Sequence, residues 1–344
     1  MSSLGSWLGR PAVRAGFISA CLALLGVPAW GAPHYTQTFT LQPGWNPIFV
    51  QVQPDPADVP TVFGDPAVRA AVKSVWSYFR QDAPVEFLQD PAEGLWNQPG
   101  WRGYFFAGEE RFLSNISSIQ VNRAYLVHLG GTGNVTLSVS GRPSLHAPPW
   151  QTDSFSLLGL SVRTDTPPTF LAFFAPSAAQ AGQDVYRLGT GGFFEKVANP
   201  ATATIQAGAA YWIKCAGAST YPGPLQVDLG EADGLTFGRG VQQLTLRLQN
   251  LSSVARTVTL QQLAAAAPVV LAYRKMNDTT REYEWPYLST LTPITLGAAA
   301  TSTDETTLLL AVKRVEFTAD TVESVLEITD DHGGRYLLPV SAEK

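Results

Sequence analysis

Between residues 32 and 230 the chain alternates short apolar runs with clusters of Pro, Gly and Asp, the pattern of strands joined by tight turns. One stretch departs from it. In DPAVRAAVKSVWS, Val68, Val72, Val75 and Trp76 fall at helical spacing behind Asp65 as a cap and Pro66 as a first-turn residue, which predicts a helix over 66–77. From Glu231 the runs lengthen and alternate more regularly. VQQLTLRLQN sets Val241, Leu244, Leu246 and Leu248 as candidate inward positions, and TVTLQQL, PVVLAYRKMN, TPITLG, TTLLLAVKRVEF, SVLEITDD and RYLLPVSA complete about seven strands, enough for two packed faces. The turn Asp330-Asp331-His332-Gly333-Gly334 has hairpin chemistry, because glycine accepts positive φ.

The first part of this pattern occurs twice. WNPIFVQVQPDPADVPTVF from Trp45 aligns with FSLLGLSVRTDTPPTFLAFF from Phe155: each opens on an aromatic, runs through an apolar strand and breaks at a proline-rich turn. An aromatic follows 31 positions later in both, Trp76 after Trp45 and Tyr186 after Phe155. The copies close alike, VNRAYLVHLGG at 121–131 matching IQAGAAYWIKCAG at 205–217, with Ala124-Tyr125 and Ala210-Tyr211 in register and a terminal strand expected in VTLSVSG and LQVDLG. The offset falls from 110 to 86, so the first copy carries an insertion of about two dozen residues between Phe79 and Val121. Recurrence of Trp45, Trp76, Tyr125, Phe155, Tyr186, Tyr211 and Trp212 at matched places points to a shared core.

The expected fold is therefore all-β with minor α: two related antiparallel β units followed by an immunoglobulin-like β-sandwich. The boundaries are a signal peptide at 1–31, a first unit at 32–142 with an aromatic insertion at about 80–120, a second unit at 143–230 and the sandwich at 231–344.

The amino terminus places Arg10 and Arg14 ahead of an apolar run from Ala15 to Val27, the order of a secretory signal, with Ala29 and Gly31 set for cleavage before Ala32. The run is short of the roughly 20 residues that span a bilayer. Ile18-Ser19-Ala20-Cys21 is a rival, lipoprotein-type cleavage box. An exported location follows in either case: extracellular, cell surface or periplasm. No later segment has the length and apolarity of a transmembrane helix. Charged residues make up only 15%, the net charge is −5, and no Lys/Arg cluster stands out, which argues against nucleic acid as a partner. With Cys21 removed, Cys215 is alone in AAYWIKCAG and reads as a buried small hydrophobe.

PGWNPIFV and AAYWIK, a GWN opening and a YW closing, resemble the tandem units of uncharacterised exported bacterial β-rich proteins. The closing LEITDDHGGRYLLPVSA is similar to the immunoglobulin-like modules that end many secreted bacterial proteins. The resemblance implies an exported location and brings no activity with it. The pair of cysteines of an antibody-type domain is missing.

No catalytic constellation emerges. There is no G-x-S-x-G elbow, H-E-x-x-H helix or phosphate-binding glycine loop. His34, His128, His146 and His332 are scattered, and Asp330, Asp331 and His332 crowd one tight turn, so neither a metal nor a cofactor is expected. The expected function is a non-enzymatic binding or structural module that presents loops to a glycan or a surface protein. Its candidate ligand-binding residues are Trp96, Trp101, Tyr104 and Phe106, flat rings in a Gly/Pro-rich insertion. A rival enzyme reading, a hydrolase of extracellular polysaccharide, would draw its acid and base from the insertion carboxylates Glu86, Asp90, Glu93, Glu109 and Glu110, with Glu93 and Glu109 as first pair. A third reading is an architectural subunit of a surface assembly joined through strand edges.

Overall fold

The computed structural model describes residues 34–80, 87, 89–92, 95, 98–146 and 149–344. The expected signal peptide, including Cys21, lies outside them.

The first unit holds two antiparallel sheets. One is built from β2 (Gly44–Val50), β4 (Val72–Tyr78), β5 (Trp101–Phe105) and β6 (Arg123–Leu129) in the order β2-β6-β4-β5. The other has β1 (Tyr35–Leu41), β3 (Val52–Pro54) and β7 (Val135–Pro143) in the order β1-β7-β3. Phe39, Leu41, Leu137 and Val139 of the small sheet pack with Ile48, Val75, Tyr125 and Val127 of the large one. The second unit has one sheet, β8 (Phe155–Gly159), β9 (Val185–Leu188), β10 (Phe194–Lys196) and β11 (Ala210–Lys214), in the order β8-β11-β9-β10.

The two larger sheets share order and register. Trp45 pairs with His128 and Phe155 with Lys214; Ile48 with Tyr125 and Leu158 with Tyr211; Trp76 with Leu126 and Tyr186 with Trp212. Tyr78 faces Trp101 across β4 and β5, and Leu188 faces Phe194 across β9 and β10. The turn before the last strand is built alike too. Gln120 N–H donates to the Tyr125 hydroxyl at 2.7 Å and Gln206 N–H to the Tyr211 hydroxyl at 2.8 Å, while Asn122 and Gly208 both take positive φ. Burial pushes both phenols up to about 12. Each unit also has a short capped helix between the first two strands of its larger sheet: α1 (Val59–Val62), whose Thr61 N–H bonds the Asp58 carboxylate, and α3 (Phe170–Phe174), whose Ala172 N–H bonds the Thr169 hydroxyl.

Three expectations need correction. The helix predicted over 66–77 is only α2 (Pro66–Ala71). Asp65 does cap it, accepting from Ala67 and Val68 N–H, but from Val72 the chain turns into β4. The β-branched and aromatic run VKSVW fills a central strand between β5 and β6, and a register shift between Val72 and Ser74 produces the spacing that mimics a helix. The expected terminal strands part company: VTLSVSG is β7 in the first unit's small sheet, whereas LQVD is β12 (Leu225–Asp228), which pairs with β14 of the sandwich. The sandwich thus begins before residue 231, and α3, Trp150 and Tyr221 cover the second unit's outer face in place of a second sheet. Val241 lies exposed while Leu246 and Leu248 face the core.

The remainder is an immunoglobulin-like sandwich. Besides β12 it contains β13 (Leu235–Thr236), β14 (Gln243–Asn250), β15 (Arg256–Gln262), β16 (Leu271–Tyr273), a β17 (Lys275–Met276)–β18 (Tyr283–Glu284) ribbon, β19 (Ile294–Leu296), β20 (Glu305–Val312), β21 (Thr321–Asp330) and β22 (Arg335–Glu343). Sheets β12-β14-β20-β16 and β13-β22-β21-β15-β19 enclose an apolar core, and only β13–β22 is parallel. The β21–β22 turn closes on Gly333 at positive φ, as its sequence predicts. It also docks on the second unit, with Arg163 N–H donating to Gly333 O and Arg335 N–H to Ser161 O. Asp233 ties the sandwich to the end of β7 and the residues after it by accepting from the Arg142 guanidinium, the Ser144 hydroxyl and the Leu145 N–H at 2.8–2.9 Å.

Candidate binding site

Alternation along β4, β6, β9 and β11 sends successive side chains to opposite faces. Tyr125 and Val127 face the first unit's own core, and Tyr211 and Ile213 the second's; Leu126 and Trp212 point the other way, into a seam where the two units meet. Matched positions from both units build that seam: Trp76 with Tyr186, Leu126 with Trp212, Trp101 with Phe194, Trp45 with Phe155. Trp212 is its centre, with ring centroids 5.0 Å from Tyr78, 5.6 Å from Phe87 and 6.3 Å from both Trp101 and Phe194.

Of the expected ligand-binding aromatics, one lies in the seam and two pack in the first unit's own core. Trp101 is 4% exposed in the seam, and Phe106, 7% exposed, packs edge-on to Phe63 at 5.5 Å in the first unit's core. Tyr104 is half-buried against Phe106 at 5.0 Å. Trp96 lies outside the described residues. The correction has a topological cause. Trp101–Phe105 is not loop but strand β5, the counterpart of β10, so 17 of the extra residues precede it and 7 follow it. Among the described residues of this region the large exposed ring is one that the sequence reading did not single out, Phe112, 81% exposed on the 3₁₀ turn Glu109–Leu113.

The carboxylates proposed for hydrolysis are not brought together by anything described: Glu86 and Glu93 lie outside the described residues, Glu110 is exposed, and Asp90 accepts from Ala92 N–H. His128 is stacked on Trp45 at 4.6 Å, and burial, helped by the charge of Lys73, lowers its pKa. His146 sits against Asp233, and His332 reaches Ala255 O; His34 is exposed. Cys215 is buried, with Gln180 Nε2 3.2 Å from its Sγ. Among the described residues no three His, Cys, Asp or Glu side chains gather as a metal set, and no helix is long and apolar enough to cross a membrane.

A concave pocket of about 430 Å³ does open at one end of the seam, on the boundary between the units. Tyr78, Phe79 and Ala124 from the first unit face Phe155, Leu157 and Leu158 from β8. Three arginines enter it: Arg80 after β4, Arg102 on β5 and Arg123 at the start of β6. The guanidiniums of Arg102 and Arg123 lie over the same Phe79 ring, 4.5 and 4.1 Å from its centroid. Asn122, Gln151 and Ser156 add neutral polar groups, and among the described residues no Asp or Glu lines it. Burial pulls the Arg123 guanidinium below its ordinary value, and the neighbouring Arg102 charge adds to the effect. The size and the mixture of apolar walls with a few convergent polar groups are those of a small-ligand site.

No protein-family model and no curated protein matches the chain. Among solved structures it is similar to the ASH/PapD-like domain 7 of human CEP192, at 8% identity and TM-score 0.21 over 35% of this chain and 84% of that one. It is also similar to a DUF3823 family protein from Bacteroides ovatus, at 10% identity and TM-score 0.18 over 57% of this chain and 96% of that one. Scores this low carry no functional argument, and the architecture rests on the strand order and packing given above.

Proposed function

We propose that the mature chain is an exported, non-enzymatic binding module, in which two copies of one ancestral β unit form a rigid body and a sandwich domain braces it. The single observation that carries the reading is the pocket between the units, because it needs residues from both. A glycan is the ligand class: flat ring walls suit sugar faces, and amide, hydroxyl and guanidinium groups suit sugar oxygens. Shared strand order and register support descent by duplication, and the charge-then-apolar opening supports export, with cleavage before Ala32 and lipidation at Cys21 as the rival end.

The test is a glycan array probed with the secreted chain, run beside an assay for newly released reducing ends on every glycan retained. Retention without release is the expected result. Release would replace this reading with the hydrolase one. Retention of no glycan would remove the glycan reading and leave a surface protein or an architectural role, the latter seen as ligand-free, concentration-dependent association.

A further inference from the structure

The two β units meet as the halves of a two-fold dimer do. β6 packs on β8, and their counterparts β11 and β2 pack on each other in the same way. Phe49 meets Gly159, its own counterpart in the second unit, so closely that a Cβ on Gly159 would stand 2.3 Å from the Phe49 side chain. A residue that meets its own counterpart marks a two-fold axis, and a seam of this kind forms each of its features twice. The pocket at one end of the seam should therefore have a partner at the other. A cleft of about 610 Å³ fills that place. Eleven of the thirteen described residues that line the first pocket, at 78–80, 102, 122–124 and 155–158, match residues that line the cleft, at 188–190, 195, 208–210 and 45–48. The chemistry changes across this match. Where the first pocket has Arg102, Arg123 and Phe79, the cleft has Glu195, Ala209 and Gly189. Gly189 makes room for the glutamate, because a Cβ there would stand 2.4 Å from the Glu195 carboxyl.

We propose that this cleft is a second binding site, and that it takes an uncharged saccharide of about two or three rings. The second site rests on the glycan reading above and adds to it. Sugar hydroxyls both donate and accept, and the cleft offers both in balance: the Thr38 and Thr40 hydroxyls, the Gln42 and Gln206 amides, and one guanidinium against one carboxylate. That pair, Arg187 and Glu195, stands opposite across β9 and β10 and supplies the charged groups among the described lining residues. An acidic sugar would meet Glu195 and a basic one Arg187. Trp45, half-buried with one face stacked on His128, stands where the first pocket has Phe155 and gives an apolar surface for a ring. The wall that carries Thr38 and Thr40 is β1, which belongs to the small sheet that the second unit lacks.

The experiment is calorimetric titration of the secreted chain with maltotriose, cellotriose, laminaritriose and chitotriose, and with trigalacturonate as an acidic control. Glu195→Ala tests the cleft and Gln151→Ala the first pocket, each variant checked by near-ultraviolet circular dichroism. Thr40→Val, at another exposed position of the cleft, keeps the test decisive should Glu195→Ala misfold. At least one neutral trisaccharide should bind more tightly than trigalacturonate. Glu195→Ala should weaken it at least fivefold, since a hydrogen bond to a charged group carries roughly tenfold or more. Gln151→Ala should leave it unchanged. A smaller loss in Glu195→Ala, an equal loss in Gln151→Ala, or binding of trigalacturonate as tight as that of the neutral sugars overturns the second site and spares the glycan reading. Failure of all four neutral sugars to bind also overturns it, and a blank array alongside would take the broader reading down with it.

Discussion

Trp212 carries the seam, and its removal tests whether the two units are one mechanical body. The ring is fully buried and within 6.3 Å of Tyr78, Phe87, Trp101 and Phe194. A Trp of this kind buries roughly 200 Å², worth about 5 kcal/mol at ~25 cal/mol/Å² as an upper bound. Measured Trp→Ala changes in cores cost about 3–5 kcal/mol. Trp212→Ala should therefore lose about 4 kcal/mol. Trp212→Leu is the residue that the first unit has at the matched position, Leu126; it fills about half the space and should lose ~2 kcal/mol. Urea unfolding gives both numbers, and native-state amide exchange shows where protection disappears. Because first-unit rings pack on Trp212, exchange should accelerate in β4–β6 as well as in β9–β11. A loss under about 1 kcal/mol for Trp212→Ala, or faster exchange confined to β9–β11, would refute the seam as the element that couples the units.

Other expectations are more local. Arg256 and Asp330 form an ion pair at 2.9 Å with side chains 5% and 0% exposed, and Asp330 also accepts from His332 and Gly334 N–H. Arg256→Met should cost about 3–5 kcal/mol by stranding a buried carboxylate, and adding Asp330→Asn, which keeps the turn's acceptor and removes the charge, should recover part of it in urea melts. A Cβ on Gly103 would stand 2.4–2.6 Å from the Trp76 ring. Gly103→Ala should thus lose ~1–3 kcal/mol by thermal unfolding, and less when combined with Trp76→Tyr, the ring that the second unit sets opposite Lys196. At Asp233 burial opposes the charge, but hydrogen bonds from the Ser144 hydroxyl, the Arg142 guanidinium and the Leu145 N–H outweigh it and hold the carboxyl below its ordinary value. Its stabilisation is then complete above the unfolded value near 3.8 and lost as pH falls through the folded one, so Asp233→Asn should flatten the acid limb of a stability–pH curve. His128 is lowered by burial and then by Lys73. Its neutral form is favoured in the fold, so its contribution is complete above about 6.5 and declines below, and His128→Phe should lessen destabilisation between pH 6.5 and 5.

The sequence by itself determined the period-two patterning, the hairpin at Asp330–Gly334, the Asp65 cap and the matched aromatics Trp76, Tyr125, Tyr211 and Trp212, which the structure buries. These features are local, or recur at fixed offsets, and such information survives in a linear chain. Tertiary structure decided the rest. VKSVW becomes a strand because β5 and β6 lie on either side to satisfy its backbone, a fact that no window of residues contains. LQVD leaves the second unit because β14 offers it an edge. Trp101 and Phe106 pass from candidate ligand contacts to core because β5 pairs with β4 from a segment that reads as loop. The pocket was illegible for the same reason. Arg80, Arg102 and Arg123 stand about twenty residues apart and form no cluster in the sequence, and only the closing of the sheet over Phe79 sets Arg102 and Arg123 against one ring. Sequence patterning records which face a residue must turn to, whereas strand pairing chooses its neighbours, and binding chemistry depends on the neighbours.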